Sequence, residues 1–381
     1  MSAYLFFLGQ TRELCLAELE VVARRLELPA QTLIAETLAQ IETSVSLDAK
    51  RLQELLGGTS KIAQILDRTP HADEQVVYDK VLDYLLEFRP KRFAIGEHGR
   101  DHLPVLDAVQ LKRDLVKHGL KSNYKETPRY GGNAGLLKSG SVTEIQVIQL
   151  PSEILYVKTL TVQDVDLWSL RDAGKPERDV KRGMLQPKIA HMMINLALGE
   201  TNPADHVLLD PFCGMGTVLL EGAFMDIPHV VGSDIDSTAI MSTIKNINWW
   251  SERQVEPFTF QVLSRPVEKL ETHDFEKRPT MIVTEPFLGK LTPEPEQVPR
   301  VIDGLERLYK GMMRAFNRVL PVGGRVVIIF PSFRMGKREV TVSKILDNLS
   351  EFGFKYVAGP YRGGRPGAVT QREIHVFEKI A

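Results

Sequence analysis

The chain has 381 residues, 43% of them hydrophobic and 25% charged, which asks for two or three domains and excludes a disordered chain. A net charge of −1 excludes a uniformly basic nucleic-acid binder, so any RNA affinity must come from a local basic face. The two cysteines, Cys15 and Cys213, exclude a cysteine-rich zinc site and a disulfide framework; no metal is expected, and a reducing cytoplasm suits the chain.

The first 70 residues alternate between strand and helix. A strand is predicted at Ala3–Leu8 and a helix at Arg12–Leu26, with Leu14, Ala17, Leu19, Val22 and Leu26 on or near one face. Short strands follow at Leu33–Ala35 and Leu38–Glu42. A helix at Asp48–Leu56 has Asp48 as its cap and Gly57-Gly58 as its stop, and Ser60–Leu66 is a last strand. This βαββαβ order predicts a ferredoxin-like N-terminal domain over 1–70, a fold that implies no function by itself. The start of the chain reads as strand and charged helix, so no secretory leader is expected, and no apolar run approaches the roughly 20 residues that span a bilayer.

Residues 71–165 read as helix Asp73–Glu87, strand Arg92–Gly96, helix Val105–His118 and strands Thr143–Leu150 and Glu153–Val162. Between Lys112 and Lys138 lie Lys112, Arg113, Lys117, Lys121, Lys125, Arg129 and Lys138 against only Asp114 and Glu126, with Tyr124 and Tyr130 interleaved. Such a window is either a solvated basic face or an RNA contact in which cations meet phosphates and rings stack on bases. Residues 166–185 are charged, carry Gly174, Pro176 and Gly183, and read as a linker. Its Arg171, Lys175, Arg178, Lys181 and Arg182 are further candidates for the RNA backbone.

From 186 to 381 strand and helix alternate throughout. A helix at Lys188–Leu198 precedes strands at His206–Asp210, Val230–Gly232, Thr259–Leu263, Thr280–Thr284, Arg325–Phe330, Lys355–Val357 and Ile374–Glu378. Helices are predicted between them at Ser237–Trp249, Val298–Leu320 and Thr341–Phe352. This alternation predicts a doubly wound, Rossmann-like α/β sheet, whose ligands sit at the carboxyl ends of the strands.

The chemistry concentrates at those ends. Asp210-Pro211-Phe212-Cys213-Gly214-Met215-Gly216-Thr217 joins an apolar strand to a helix, and the next strand ends in Ser233-Asp234-Ile235-Asp236. Glycines let the backbone approach a ligand, and an acid at the second strand end accepts hydrogen bonds from a ribose diol. Asp234 lies 24 positions beyond Asp210, near the expected separation of about 20. The turn is neither Gly-x-Gly-x-x-Gly nor a P-loop, so an adenosine ligand without phosphates is favoured over a dinucleotide. S-adenosylmethionine (SAM) fits. Cys213 reads as packing, since no histidine lies nearby in sequence to activate it. Asp236 reads as the start of the next helix. The third strand ends near Ser264 without an acid to hold an adenine amine.

Thr280–Thr284 is followed by Glu285-Pro286-Phe287-Leu288-Gly289. Asp-Pro-Phe-Cys-Gly-x-Gly-Thr followed by Gly-Ser-Asp-Ile-Asp resembles the THUMP-containing RNA methyltransferases that modify the exocyclic amine of guanine in tRNA. Arg171-Asp172-Ala173-Gly174-Lys175-Pro176 and Gly183-Met184-Leu185-Gln186-Pro187-Lys188 are similar to that family's lead-in to its catalytic domain. The resemblance implies a THUMP-like RNA-binding domain at 71–165, a linker at 166–185 and a SAM-dependent methyltransferase domain at 186–381. It implies a cofactor site of Asp210, Pro211, Phe212, Gly214, Gly216, Thr217, Asp234 and Ile235. The family's Asp/Asn-Pro-Pro-Tyr/Phe motif falls on Glu285, Pro286 and Phe287, which are then catalytic, although this chain has a glutamate and one proline fewer. Lys121, Lys125, Arg129 and Lys138 become the RNA-binding candidates, with tRNA as the partner and N2-methylguanosine as the product. N6-adenine methylation, a ribosomal RNA target, and a catalytically silent RNA-binding relative stay open as alternatives. So does the need for a small activator protein.

Overall fold

The structure is a computed structural model that describes residues 1–99, 106–126, 134–179, 184–254, 256–290, 292–336, 338–363 and 369–381. The chain forms two compact units: 1–12 with 27–167, and 13–26 with 168–381.

The first unit is built on one eight-stranded sheet. Its strands are β1 (Ser2–Leu8), β2 (Thr32–Ala35), β3 (Leu38–Thr43), β4 (Thr59–Thr69), β5 (Arg92–His98), β6 (Asn123–Tyr124), β7 (Thr143–Gln149) and β8 (Ile154–Val162), in the order β2-β3-β1-β4-β8-β7-β5-β6. The first four pair antiparallel in the β2-β3-β1-β4 order of a ferredoxin-like sheet. β4 then pairs with β8 from Lys61 opposite Val162 to Thr69 opposite Ile154. Residues 1–70 and 71–165, which the sequence reading divides, thus share a single sheet.

Helix α1 (Arg12–Arg25) falls almost wholly in the second unit. There Asn195 Nδ2 donates to Glu18 Oε1 at 2.8 Å, and Arg25 Nε donates to the Gly199 carbonyl at 2.9 Å. Helix α2 (Ala49–Leu55) begins under the Asp48 cap, which accepts from the Arg51 N–H. Helix α3 (Glu74–Phe88) buries Val77, Val81 and Leu85, one stripe at a spacing of four, against Phe93, Ile145, Val147 and Tyr156 of the sheet. Helices α4 (Ala108–Lys117) and α5 (Ala134–Lys138) complete the unit.

The expected linker contains helix α6 (Val165–Ala173), which ends before Gly174. The reason is burial. The Arg171 guanidinium lies between the Trp168 and Phe224 rings, 3.9 and 3.6 Å from their centroids, and pairs with buried Glu221 at 3.1 Å.

In the second unit α7 (Pro187–Leu198) starts with proline, whose missing N–H costs nothing in a first turn. The sheet strands are β9 (Val207–Asp210), β10 (His229–Asp234), β11 (Thr259–Ser264), β12 (Met281–Thr284), β13 (Arg325–Met335), β14 (Arg338–Thr341), β15 (Phe354–Gly363) and β16 (Thr370–Lys379). Their order is β11-β10-β9-β12-β13-β16-β15, with β14 paired to β13. β11, β10, β9, β12 and β13 are parallel; β16 pairs antiparallel with both β13 and β15. This is the expected Rossmann-like architecture. β9 and β12 are short and apolar because helices cover both faces.

Helices α8 (Thr217–Phe224) and α9 (Ser237–Ser251) carry the chain outward from β9 to β10 and β11. It then returns to β12 on the other side, so the switch point lies beyond the carboxyl ends of β9 and β12. Helix α10 (Val298–Val319) buries Ile302, Leu305, Tyr309, Met312, Phe316 and Val319 at helical spacing. The helix predicted over Thr341–Phe352 is shorter. Arg338–Thr341 joins β13 as a hairpin strand, which suits β-branched Val340 and Thr341, and leaves α11 (Ser343–Leu346) and a 3-10 turn at Leu349–Phe352.

Candidate active site at the strand switch point

Asp210 closes β9 and shapes the turn after it. Its Oδ1 accepts from the Phe212 N–H at 3.1 Å and from the Thr284 hydroxyl at 2.6 Å. Gly214 and Gly216 hold left-handed φ values of 49° and 81°. A Cβ at Gly216 would come within 3.2 Å of Thr243 Cγ2. From α9, Thr243 donates to the Gly214 carbonyl at 2.7 Å and Asn246 Nδ2 to the Met215 carbonyl at 2.8 Å. Glycine is therefore required here for conformation and for clearance.

Asp234 stands across from the turn at the end of β10. Its Oδ2 accepts from the Gly214 N–H at 3.0 Å and its Oδ1 from the Asp236 N–H at 2.9 Å. Two backbone donors thus aim one carboxylate. Asp236 caps α9 through the Thr238 N–H, as its position implied.

These residues line a cavity of about 770 Å³. Of the residues expected to bind the cofactor, Asp210, Pro211, Phe212, Gly214, Thr217, Asp234 and Ile235 line it. Gly216 does not; it sets the first turn of α8 from outside the wall. Ile235 is 76% exposed and offers an apolar face beside the Asp234 carboxylate. Cys213 is buried, with its thiol pKa pushed up by that burial, which fits packing and not nucleophilic attack.

Glu285, Pro286 and Phe287 follow β12 and line the same cavity. The Phe287 side chain is 64% exposed, while its carbonyl accepts from the buried Tyr309 hydroxyl at 2.8 Å. The loop is thereby tied to α10 with its ring left open.

The electrostatics are one-sided. Among the described residues, Asp179, Asp210, Asp234, Asp236, Glu268 and Glu285 line the cavity against one cation, Arg372. Burial raises the Asp210 pKa to about 7, opposed by its hydrogen bonds from Thr284 and Phe212 and reinforced by Asp234 and Glu285. Burial also raises Glu285, and Arg372 pulls it back down. A pyrophosphate would meet six carboxylates here; a cationic ligand with a diol is matched. Among the described residues, no group of three or more His, Cys, Asp or Glu side chains is arranged to hold a metal ion.

Sequence reasoning missed Arg372, Glu268, Asp179, Met184 and Leu185, all of which line the cavity. Met184 and Leu185 belong to the lead-in motif, so their pattern was visible and their role was not. Arg372 carries no motif at all. Two linker cations are corrected. Arg171 is enclosed as described, and Lys175 is buried with its Nζ donating to Thr217 Oγ1 at 2.9 Å, so neither is available to an RNA backbone.

The RNA candidates lie in the first unit. Lys121 is exposed and Lys125 half-buried. Lys138 Nζ sits 2.6 Å from Asp164 and 3.8 Å from Asp166, which offsets its charge. Tyr124 packs on Phe93, with centroids 5.5 Å apart, and does not stand as an open platform. Arg129, Tyr130, Lys181 and Arg182 lie outside the described residues. Lys91 and Arg92 line a separate concavity of about 560 Å³ with Asn123, Gly140 and Ser141.

Fold and site together define a Rossmann-like domain with an acid-lined cavity at its strand switch point. Residues 177–345 match the UPF0020 family, described as an RMKL-like methyltransferase domain. Over 151 residues the chain is 27% identical to the tRNA (guanine(10)-N2)-dimethyltransferase of Methanothermobacter thermautotrophicus, covering 40% of each. Over 153 residues it is 30% identical to the U6 snRNA (guanine-N(2))-methyltransferase THUMPD2 of Bos taurus, covering 39% of this chain and 26% of that protein. The match therefore spans less than half the length of these curated relatives. The resemblance to guanine-N2 methyltransferases read from the motifs is borne out. At the level of fold, TrmN from Thermus thermophilus superposes with a TM-score of 0.57 at 17% identity, covering 99% of this chain and all of that one. No helix among the described residues is long and apolar enough to cross a membrane.

Proposed function

We propose that this protein transfers a methyl group from SAM to the N2 amine of guanine in tRNA. The observation that carries this reading is the acid-lined cavity at the switch point, with Glu285-Pro286-Phe287 on its wall. SAM, when bound, supplies a methyl group whose bond to sulfur breaks as the amine nitrogen attacks, the electron pair staying on sulfur. Asp234 is held to accept from the ribose hydroxyls, Ile235 and Phe212 give adenine apolar contact, and the surplus of carboxylates suits a ligand with a sulfonium and an ammonium group.

Guanine N2 is conjugated with its ring and is a weak nucleophile, so the enzyme's part is positioning and charge stabilisation. Glu285 and the Pro286 carbonyl accept from its N–H bonds, orienting the lone pair and stabilising the positive charge that nitrogen gains before its extra proton leaves to solvent. The exposed Phe287 ring stacks on the base. A base buried in a duplex cannot reach such a wall, which favours loops and junctions. Residues 1–165 act as the RNA-docking part of the chain, with Lys121 and Lys125 on phosphates.

The test is to incubate the protein with labelled SAM and bulk tRNA and digest to nucleosides. Label in N2-methylguanosine is the expected result. Label in N6-methyladenosine would move the substrate to adenine, and no transfer to any RNA would overturn the reading.

A further inference from the structure

Arg372 reaches the site from β16, where its register partner is Pro331 of β13. Its Nε donates to Glu285 Oε1 at 2.5 Å. Glu285 lines the cavity. The carboxylate is thus held by Arg372 at the cavity wall, where an entering base meets it.

We propose that Glu285, held by Arg372, forms an acceptor-only clamp that selects guanine over adenine, an inference that rests on the methyl-transfer reading above. The two bases differ in the group beside the exocyclic amine. Guanine presents N2–H next to N1–H, two neighbouring donors. Adenine presents N6–H next to N1, a donor beside an acceptor. An ionised carboxylate has acceptors and no proton to give. It complements the guanine edge and places a lone pair against adenine N1. Glutamine, or a protonated glutamate, offers a donor and an acceptor side by side and suits adenine.

Arg372 is the positioning residue that keeps the clamp in its guanine form. The groups facing Glu285 are Arg372 from β16, Asp210 from β9 and Tyr309 from α10, with Asp234 from β10 acting through Asp210. Burial favours the protonated carboxyl, and Arg372, the one cation of the cavity wall among the described residues, opposes it. The guanidinium also holds the longer glutamate in one rotamer, where the resembled family has a shorter side chain.

The experiment uses the full chain, the tRNA transcript that the parent modifies, and the same transcript with adenine at the modified position. Methyl transfer to each is measured against pH for the parent, Glu285→Gln, Arg372→Met and Arg372→Lys, with SAM affinity by calorimetry as the folding control. The parent should transfer to guanine at least a hundredfold faster than to adenine. Glu285→Gln should lower the guanine rate and raise the adenine-to-guanine ratio at least tenfold. Arg372→Met should move the acid limb of the guanine profile up by a pH unit or more, Arg372→Lys should restore most of that shift, and SAM affinity should hold in all three. An unchanged base ratio in Glu285→Gln, or an Arg372→Met profile that coincides with the parent, overturns the clamp while methyl transfer stands. A parent that methylates neither transcript nor bulk tRNA overturns the methyl-transfer reading itself.

Discussion

The two compact units treat buried charge in opposite ways. In the unit of residues 1–12 and 27–167, Lys61 and Glu144 are both buried and pair directly at 2.7 Å, with Gln146 and Thr159 hydrogen-bonded to the same carboxylate. In the unit of 13–26 and 168–381, six carboxylates gather round a cavity with one guanidinium, among the described residues. The first arrangement is closed on itself. The second is unbalanced: Asp210 is buried, Asp179, Asp234, Asp236 and Glu285 are half-buried and Glu268 is exposed, a field that attracts cations. That unit also holds a closed pair of its own, Arg171 with Glu221, a few residues from the cavity wall. The contrast separates charge that holds the fold from charge that serves chemistry.

The largest effect should come from breaking closed charge in the second unit. Arg171→Ala removes the guanidinium from Glu221, leaves it with His191 at 3.2 Å and empties the space between Trp168 and Phe224, so about 3–5 kcal/mol of unfolding free energy should be lost in urea titrations. A loss below 1 kcal/mol would place this pair with weak surface bridges.

Open charge should fail in the opposite manner, with stability kept and function lost. Glu285→Ala should lower the methyl-transfer rate by roughly 10²–10³ with SAM affinity retained. Full activity in that variant would remove Glu285 from the mechanism. Asp234→Ala should weaken SAM binding by about 1.5–3 kcal/mol, the range for hydrogen bonds to a charged group. Unchanged affinity by calorimetry would sink its assignment to the ribose.

Asp210 sharpens the comparison through pH. Its folded pKa of about 7 stands above the ordinary 3.8, so the folded protein holds this proton more tightly than the unfolded chain. The associated stability is complete below about pH 4 and drains away as pH rises through 7. Asp210→Asn keeps the acceptor for Thr284 and Phe212 and removes the titration. Without ligand, it should match the parent near pH 4 and exceed it at pH 8 by on the order of 2 kcal/mol in thermal melts. A constant difference across that range would mean that Asp210 does not titrate there.

The smallest effect belongs to the first unit. Alanine at both Lys121 and Lys125 should flatten the salt dependence of tRNA binding by up to about two units of slope and weaken it modestly at physiological salt. An unaltered slope would move the RNA face elsewhere, with Lys91 and Arg92 as the next residues to change.

What the chain determined locally was legible before any tertiary contact. Gly214 and Gly216 demand left-handed backbone, Asp236 and Asp48 cap the helices that follow them, and the alternation after residue 186 encodes a doubly wound sheet. Asp210, Asp234 and Glu285 were visible because each ends a strand, and strand ends converge in such sheets. The rest depended on register and packing between distant segments. Arg372 meets Glu285 across 87 residues because β16 lies antiparallel against β13. Arg171 and Lys175 look like surface cations in a charged linker, and only their neighbours enclose them. Helix α1 reads as part of the N-terminal fold and hydrogen-bonds instead to α7. Backbone conformation is set by a residue and its near neighbours, whereas the sign and exposure of a charge are set by whatever the fold brings beside it.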